Sequence, residues 1–344
     1  MIWTIISSFY SIYLLSNKQL RRKYILYPLI LLGILSAYKL SNTQDWLFVY
    51  VYSTFLSIFS SFIIYFSNKD SKNLAFKYLF YSAFANTIFI IGLSYLFYIN
   101  HSTSIFLSSS LNANYRIFTV AFIICVSSIF AVIHTFPFHF LIIDIYKQID
   151  NFSVSFISTI PKISAIALLY NIKGIITQEN DLLYYIFYLY AMISLIIGHL
   201  GALINYNNEK QILTYGSIAQ SGNLISLLLC NCSIDYYLYA YALMNISTWL
   251  LLNNKNNIVM IFSLLALIGI PPTYGFIAKY QLLTSLYNHS HCLFYIIIIG
   301  TILSLYYYLK VYKMYKNIKS NDDYNQLCNI IIAILSVILT ILVK

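Results

Sequence analysis

The sequence predicts an all-α polytopic membrane protein, a single membrane-embedded domain over 1–344 with about 11–12 transmembrane helices. Three observations predict it. Only 9% of the 344 residues are charged while 60% are hydrophobic, against the roughly one quarter of charged residues that a soluble domain keeps on its surface. The mean hydropathy is +0.75. Apolar runs of the ~20 residues that a helix needs to cross the hydrocarbon core recur almost without pause, and no polar stretch between them is long enough to fold alone.

Taken in order, these runs predict spans over 2–15, 24–40, 46–67, 75–99, 116–136, 153–171, 182–205, 210–230, 234–252, 256–288, 292–312 and 326–343, the first of them short. A net charge of +10 could suggest a nucleic-acid partner in a soluble chain. Here the cations sit in short loops: Lys18, Arg21, Arg22 and Lys23, then Lys69, Lys72 and Lys77, then Lys313, Lys316 and Lys319. All three are odd-numbered loops, so the positive-inside rule assigns them to the side of synthesis and both termini to the other side. The expected surroundings are lipid and other membrane proteins, not nucleic acid.

Cys125, Cys230, Cys232, Cys292 and Cys328 form no second close pair and have no histidines at zinc-ligand spacing, so they read as small apolar fillers. The opening MIWTIISSFYSIYLL has no basic region and no small-residue cleavage site, so it is read as neither a signal nor a transit peptide. Ile, Tyr, Phe, Asn and Lys abound while Gly, Pro and Arg are scarce. That bias fits A+T-rich codons and suggests translation inside an organelle.

Two spans contain prolines. Pro161 sits within VSFISTIPKISAIALLY, and Pro271-Pro272 within VMIFSLLALIGIPPTYGFIAKYQLL. Proline removes a donor and clashes with the preceding turn. In lipid the freed carbonyls need partners from protein or water, so both spans are expected to be broken helices facing the interior. Lys162 follows Pro161 directly, and Lys279 lies two turns beyond Pro272. An ammonium near the bilayer centre costs about 2.5–3.5 kcal/mol on insertion scales, so such lysines usually face a cavity and mark ion paths. Burial penalises the charge, which makes protonation switchable. Snorkelling accounts for Lys77, Lys210 and Lys310 near helix ends, but not for these two.

All ten acids fall at predicted helix ends or in loops, so the interior lysines are expected to lack a carboxylate partner. His134 and His139 bracket Pro137 near the end of the fifth span and read equally as proton relays or structural residues. His199 lies deeper and is either a relay or a satisfied hydrogen bonder. There is no phosphate loop, nucleophile elbow or metal-ligand cluster, and the abundant tyrosines carry no separate signal.

These residues resemble the antiporter-like membrane subunits of respiratory complex I and their cation/proton antiporter relatives. TFPFHFLIIDIYKQIDNFSVSFISTIPKISAIALLY is similar to the family's PFH, D-x-Y and broken-helix lysine; EKQILTYGSIAQSGNLISL resembles its KR-LLAYSSIAHxGY stretch. LYAYALMN, GIPPTYGFIAKYQLL and the tyrosine run of SLYYYLKVYKMY resemble the helices that follow, and LAFKYLFYSAFANTIFIIGLSYLFY resembles an earlier one. The likeness runs unbroken over about 45–316. It implies two inverted repeats centred on the broken helices, with Lys162, Lys279, His134 and His199 as relay candidates for protons. It further implies partnership with other membrane-arm subunits in the mitochondrial inner membrane. No cofactor is expected on this chain; NADH, FMN, iron–sulfur clusters and ubiquinone would belong to other subunits. A stand-alone antiporter and a non-pumping structural subunit are the alternatives.

The chain departs from the family pattern in places. The positions of a paired glutamate and lysine fall at Thr54 and Val132, and losing both avoids stranding one buried charge. The motif's arginine stands as Gln211 and its histidine as Gln220. Two or three helices are expected to be missing at the front, leaving a groove there, and water is expected to be sparse around Thr54 and Val132.

Overall fold

The computed structural model describes Trp3, Ile6, Ser7 and Tyr10 and residues 23–67, 71–105, 115–177, 181–205, 208–230, 233–252 and 257–317. The predicted spans 2–15 and 326–343 fall largely or wholly outside these, as do Lys18, Arg21, Arg22, Lys69, Lys319, Cys232 and Cys328.

Described helices follow the apolar runs closely: α1 (Lys23–Ser41), α2 (Trp46–Ser67), α3 (Lys72–Asn100) and α4 (Tyr115–Ile133), then α6 (Asn151–Asn171), α8 (Asp181–Ile204), α9 (Glu209–Leu228), α10 (Asp235–Leu251) and α13 (His291–Asn317). Two short helices were not expected, α5 (Phe140–Gln148) and α7 (Lys173–Thr177). Six of the helices are long and apolar enough to cross a membrane. This is a multi-pass membrane protein.

Burial separates a centre from a rim. In α6, 94% of the apolar window is buried, against 28% in α3; α9 and α10 are buried along almost their whole length. The central helices carry the polar residues. Ser155, Ser158, Thr159 and Ser164 lie on α6, Thr214, Ser217, Gln220 and Asn223 on α9, and Asn245 and Thr248 on α10, all buried. Most of these hydroxyls donate to carbonyls three or four residues back in their own helix, for example Thr159 Oγ1 to Ser155 O at 2.6 Å. The rim presents Phe76, Phe80, Phe84 and Ile91 of α3 outward, as lipid requires.

The 256–288 span divides as the prolines predict. α11 (Asn257–Ile268) stops, and α12 (Tyr274–His289) begins after the two prolines. Gly269 takes φ +86, and the N–H groups of Gly269 and Ile270 both turn back onto Leu265 O at 2.9 and 3.1 Å. Glycine at a left-handed position closes a helix without Cβ strain.

Pro161 behaves differently. The expected break is absent: α6 runs helical from Asn151 to Asn171 with the proline inside it. Side chains of α10 bond to the turn that precedes the proline. Tyr241 Oη of α10 donates to Ser158 O at 2.7 Å, and Asn245 Nδ2 donates to Ser158 Oγ at 2.7 Å. A buried helix whose weakened turn is served by an adjacent helix can continue through proline.

At the front, Ile6 and Tyr10 are buried. Tyr10 packs edge-on against Phe152 and Phe156 of α6, centroids 5.7 Å apart in each case, and its hydroxyl lies 3.3 Å from Ser155 Oγ. Where a groove was expected along this part of α6, an aromatic side chain covers it.

Candidate functional site

Lys162 is fully buried. Its Nζ donates to Ser217 O of α9 at 2.9 Å and lies 3.4 Å from Ser217 Oγ, which itself donates to Thr214 O. Lys279, on α12, is 5% exposed and reaches back across the break. Its Nζ donates to Leu267 O and Ile268 O, the last carbonyls of α11, at 2.8 Å each. A Cβ on Gly269 would come within 2.7 Å of the Lys279 Cδ, so the glycine both turns the chain and lets the lysine stem pass. Among the described residues no Asp or Glu is buried. Both interior amines rest on neutral oxygens.

Between the two lysines runs one polar edge of α9. Gln220 lies one turn after Ser217, and its Nε2 donates to Leu267 O at 3.3 Å, the carbonyl that also receives Lys279. Gln220 Oε1 accepts from Tyr237 Oη at 3.0 Å and from Asn223 Nδ2 at 3.3 Å. Polar side chains of α9 thus line the gap between the two lysines, and Gln220 and Lys279 meet at Leu267 O.

A second line comes from α8 and α13. His199, 8% exposed, has Nδ1 3.2 Å from Tyr307 Oη. Tyr307 shares a hydrogen bond with Tyr308. The Tyr308 hydroxyl seats on Gly216 of α9, where a Cβ would approach it to 2.3 Å, one residue from the Ser217 that binds Lys162. Lys279 is close enough for its charge to act on His199. Tyr307, Tyr308, Ser217, Tyr241 and Asn245 are not among the candidates drawn from the sequence, although each lies in one of the stretches that carry the family resemblance.

His134 follows α4 directly, near the end of the predicted fifth span, and is 1% exposed, with its ring among Tyr78, Tyr81 and Tyr146. His139 is buried as well, its ring 4.0 Å from that of Phe140. Thr54 spends its hydroxyl on Val51 O in its own helix. Val132 lines two small adjoining cavities together with Ser53 and Asn86, in walls that are mostly apolar. Among the described residues no group of three His, Cys, Asp or Glu could hold a metal ion.

Residues 43–258 match the family model described as NADH:quinone oxidoreductase/Mrp antiporter, TM. The chain belongs to this family.

Within the NADH:quinone oxidoreductase/Mrp antiporter family, the chain is similar to NADH-quinone oxidoreductase subunit N of Bacillus anthracis. The two are 27% identical over 332 residues, 83% of this chain and 65% of that one. It is 28% identical to the chloroplastic NAD(P)H-quinone oxidoreductase subunit 2 of Chara vulgaris over 335 residues, 85% of this chain and 66% of that one. The chain spans about three fifths of the length of the first curated relatives it matches. Its fold is that of a chain in the respiratory complex I of Thermus thermophilus, with a TM-score of 0.79 at 20% identity, covering 92% of this chain and 78% of that one.

Proposed function

We propose that this chain is the subunit 2 (subunit N) component of the membrane arm of an NADH:quinone oxidoreductase, and that it moves protons through Lys162 and Lys279. The observation that carries this is the ligand set of the two amines. An amine paired with a buried carboxylate strands that carboxylate when it loses its proton, at a cost of about 3–5 kcal/mol. Lys162 and Lys279 donate to carbonyl and hydroxyl oxygens, so losing a proton leaves no unpaired charge behind. The neutral amine keeps N–H groups for the same acceptors. Such a site supports both protonation states, as a relay requires.

His199 would act beside Lys279 through Tyr307 and Tyr308, and His134 beside Lys162. Electron transfer and the sites for NADH, FMN, iron–sulfur clusters and ubiquinone belong, in this reading, to other subunits. This chain packs against other membrane-arm subunits, and the A+T-type composition supports the mitochondrial inner membrane. The test is Lys162→Met in the intact assembly, read by native electrophoresis and by proton pumping coupled to quinone reduction. Normal assembly with pumping abolished is expected. Full pumping would defeat the relay, and migration as a small, separate species would favour a stand-alone antiporter.

A further inference from the structure

The cleft beside Val132 holds about 20 Å³ of space among α2, α3, the end of α4 and α6, enough for about one water molecule. Its walls include Ser53, Ser57, Asn86, Val132, His134 and Pro161, none of them charged. An adjoining space of about 10 Å³ shares Ser53, Asn86 and Val132 and continues toward Leu40 and Leu168.

Two features set apart His134, which lines this cleft. Its Nδ1 is buried and has no hydrogen-bond partner, although buried ring nitrogens are nearly always satisfied. Its backbone lies at φ 61, a left-handed conformation that costs a residue with a Cβ roughly 1–2 kcal/mol. The surroundings enforce it. His134 N donates to Ala131 O at 3.1 Å, and Tyr81 Oη clamps both sides of the turn by donating to Ala131 O at 3.0 Å and Phe138 O at 2.9 Å. The same tyrosine stacks on the imidazole at 6.2 Å and 24°. A strained residue that lines a cleft is a candidate for a functional role.

We propose that this cleft is a water-binding site, in which one water bonds His134 Nδ1 and a polar group of Ser53, Ser57 or Asn86. It would serve as an uncharged substitute for the family's buried acid–base pair. A bound water needs two to four polar partners; in a wall otherwise largely apolar, His134 Nδ1 and the side chains of Ser53, Ser57 and Asn86 are the groups that would provide them. Pro161 forms part of the wall, and Lys162 is near enough for its charge to act on the imidazole. The water thus extends the Lys162 relay toward α2 and α3, and the proposal rests on that relay.

The test combines an experimental map of the intact membrane assembly, at a resolution that shows waters, with two variants. The map is expected to show an ordered water within hydrogen-bonding distance of His134 Nδ1; a dry cleft, or one filled by a lipid chain, overturns the proposal. His134→Leu removes the ring nitrogens, while Asn86→Leu fills the cleft and leaves the strained turn alone. Each is expected to lower the coupled pumping rate about tenfold at normal assembly, the effect of losing one hydrogen bond in the path. His134→Asn, which tolerates a left-handed backbone and keeps a polar end, is expected to retain most of the rate. If His134→Leu fails to assemble, Asn86→Leu still decides. Unchanged pumping in assembled Asn86→Leu overturns the water site. Lys162→Met in the same assay separates the two ideas: pumping intact there sinks the relay itself, whereas pumping lost there but unchanged in the cleft variants sinks only the water site.

Discussion

Lys162 and Lys279 look equivalent by burial, yet they sit on different kinds of oxygen. Lys279 holds the last carbonyls of α11, where a helix end leaves acceptors unsatisfied and carries the negative end of the macrodipole. Lys210 does the same for α5, donating to Ile149 O at 2.8 Å. Lys162 instead donates to Ser217 O, in the middle of α9, where the ladder already supplies a donor. One lysine therefore holds a break together. The other adds a charge to a helix that does not need it. Lys279 has both a structural and a chemical role, while for Lys162 the chemical role stands alone.

The sharpest way to break this comparison is Lys279→Met. It takes the lysine donor from Ile268 O, at about 1–3 kcal/mol, and leaves Leu267 O to Gln220 alone, so it should cut the amount of assembled complex on native gels as well as pumping. If assembly is normal, the structural half of the comparison is wrong. Lys162→Met should show the converse, with a melting temperature within a few degrees of the parent and pumping lost. A large fall in melting temperature would make Lys162 structural too. Gly269→Ala strains a left-handed position by roughly 1–2 kcal/mol and crowds the Lys279 stem. It should reproduce the assembly defect of Lys279→Met in milder form, as thermal unfolding of the purified assembly would show. Tyr307→Phe removes the hydroxyl between His199 and Tyr308 and should cost about 1 kcal/mol, with a partial loss of pumping and no loss of assembly. The smallest effect is expected from Gln220→Leu. It takes only the second donor from Leu267 O, so assembly should be normal and any change in pumping smaller than for Tyr307→Phe.

The two proline sites show how far the sequence could be read. Gly269, Pro271 and Pro272 together remove or redirect the backbone groups that a helix needs, so the break between α11 and α12 is local and legible. Pro161 lacks its N–H just as surely, yet α6 runs on through it, packed against Tyr241 and Asn245, which lie about 80 residues further along and bond to the turn before the proline. The surroundings of His134 were not legible either, because its burial comes from Tyr78, Tyr81 and Tyr146 closing over the turn.

What the sequence determined by itself is the class of molecule. Charge too sparse to cover a soluble surface, apolar runs of bilayer length and two lysines inside them follow from composition and spacing, because the bilayer acts on each segment separately. Acids confined to segment ends left the interior amines without carboxylates, which was legible too. Tertiary structure alone decided what the lysines hold, that α9 and the Tyr307–Tyr308 pair lie between them, and that a histidine in a left-handed conformation lines a small cleft beside Val132. Those are contacts between residues tens to hundreds of positions apart. Hydrogen bonds and close packing between helices set them, and no local pattern of hydrophobicity encodes which helix will be the neighbour.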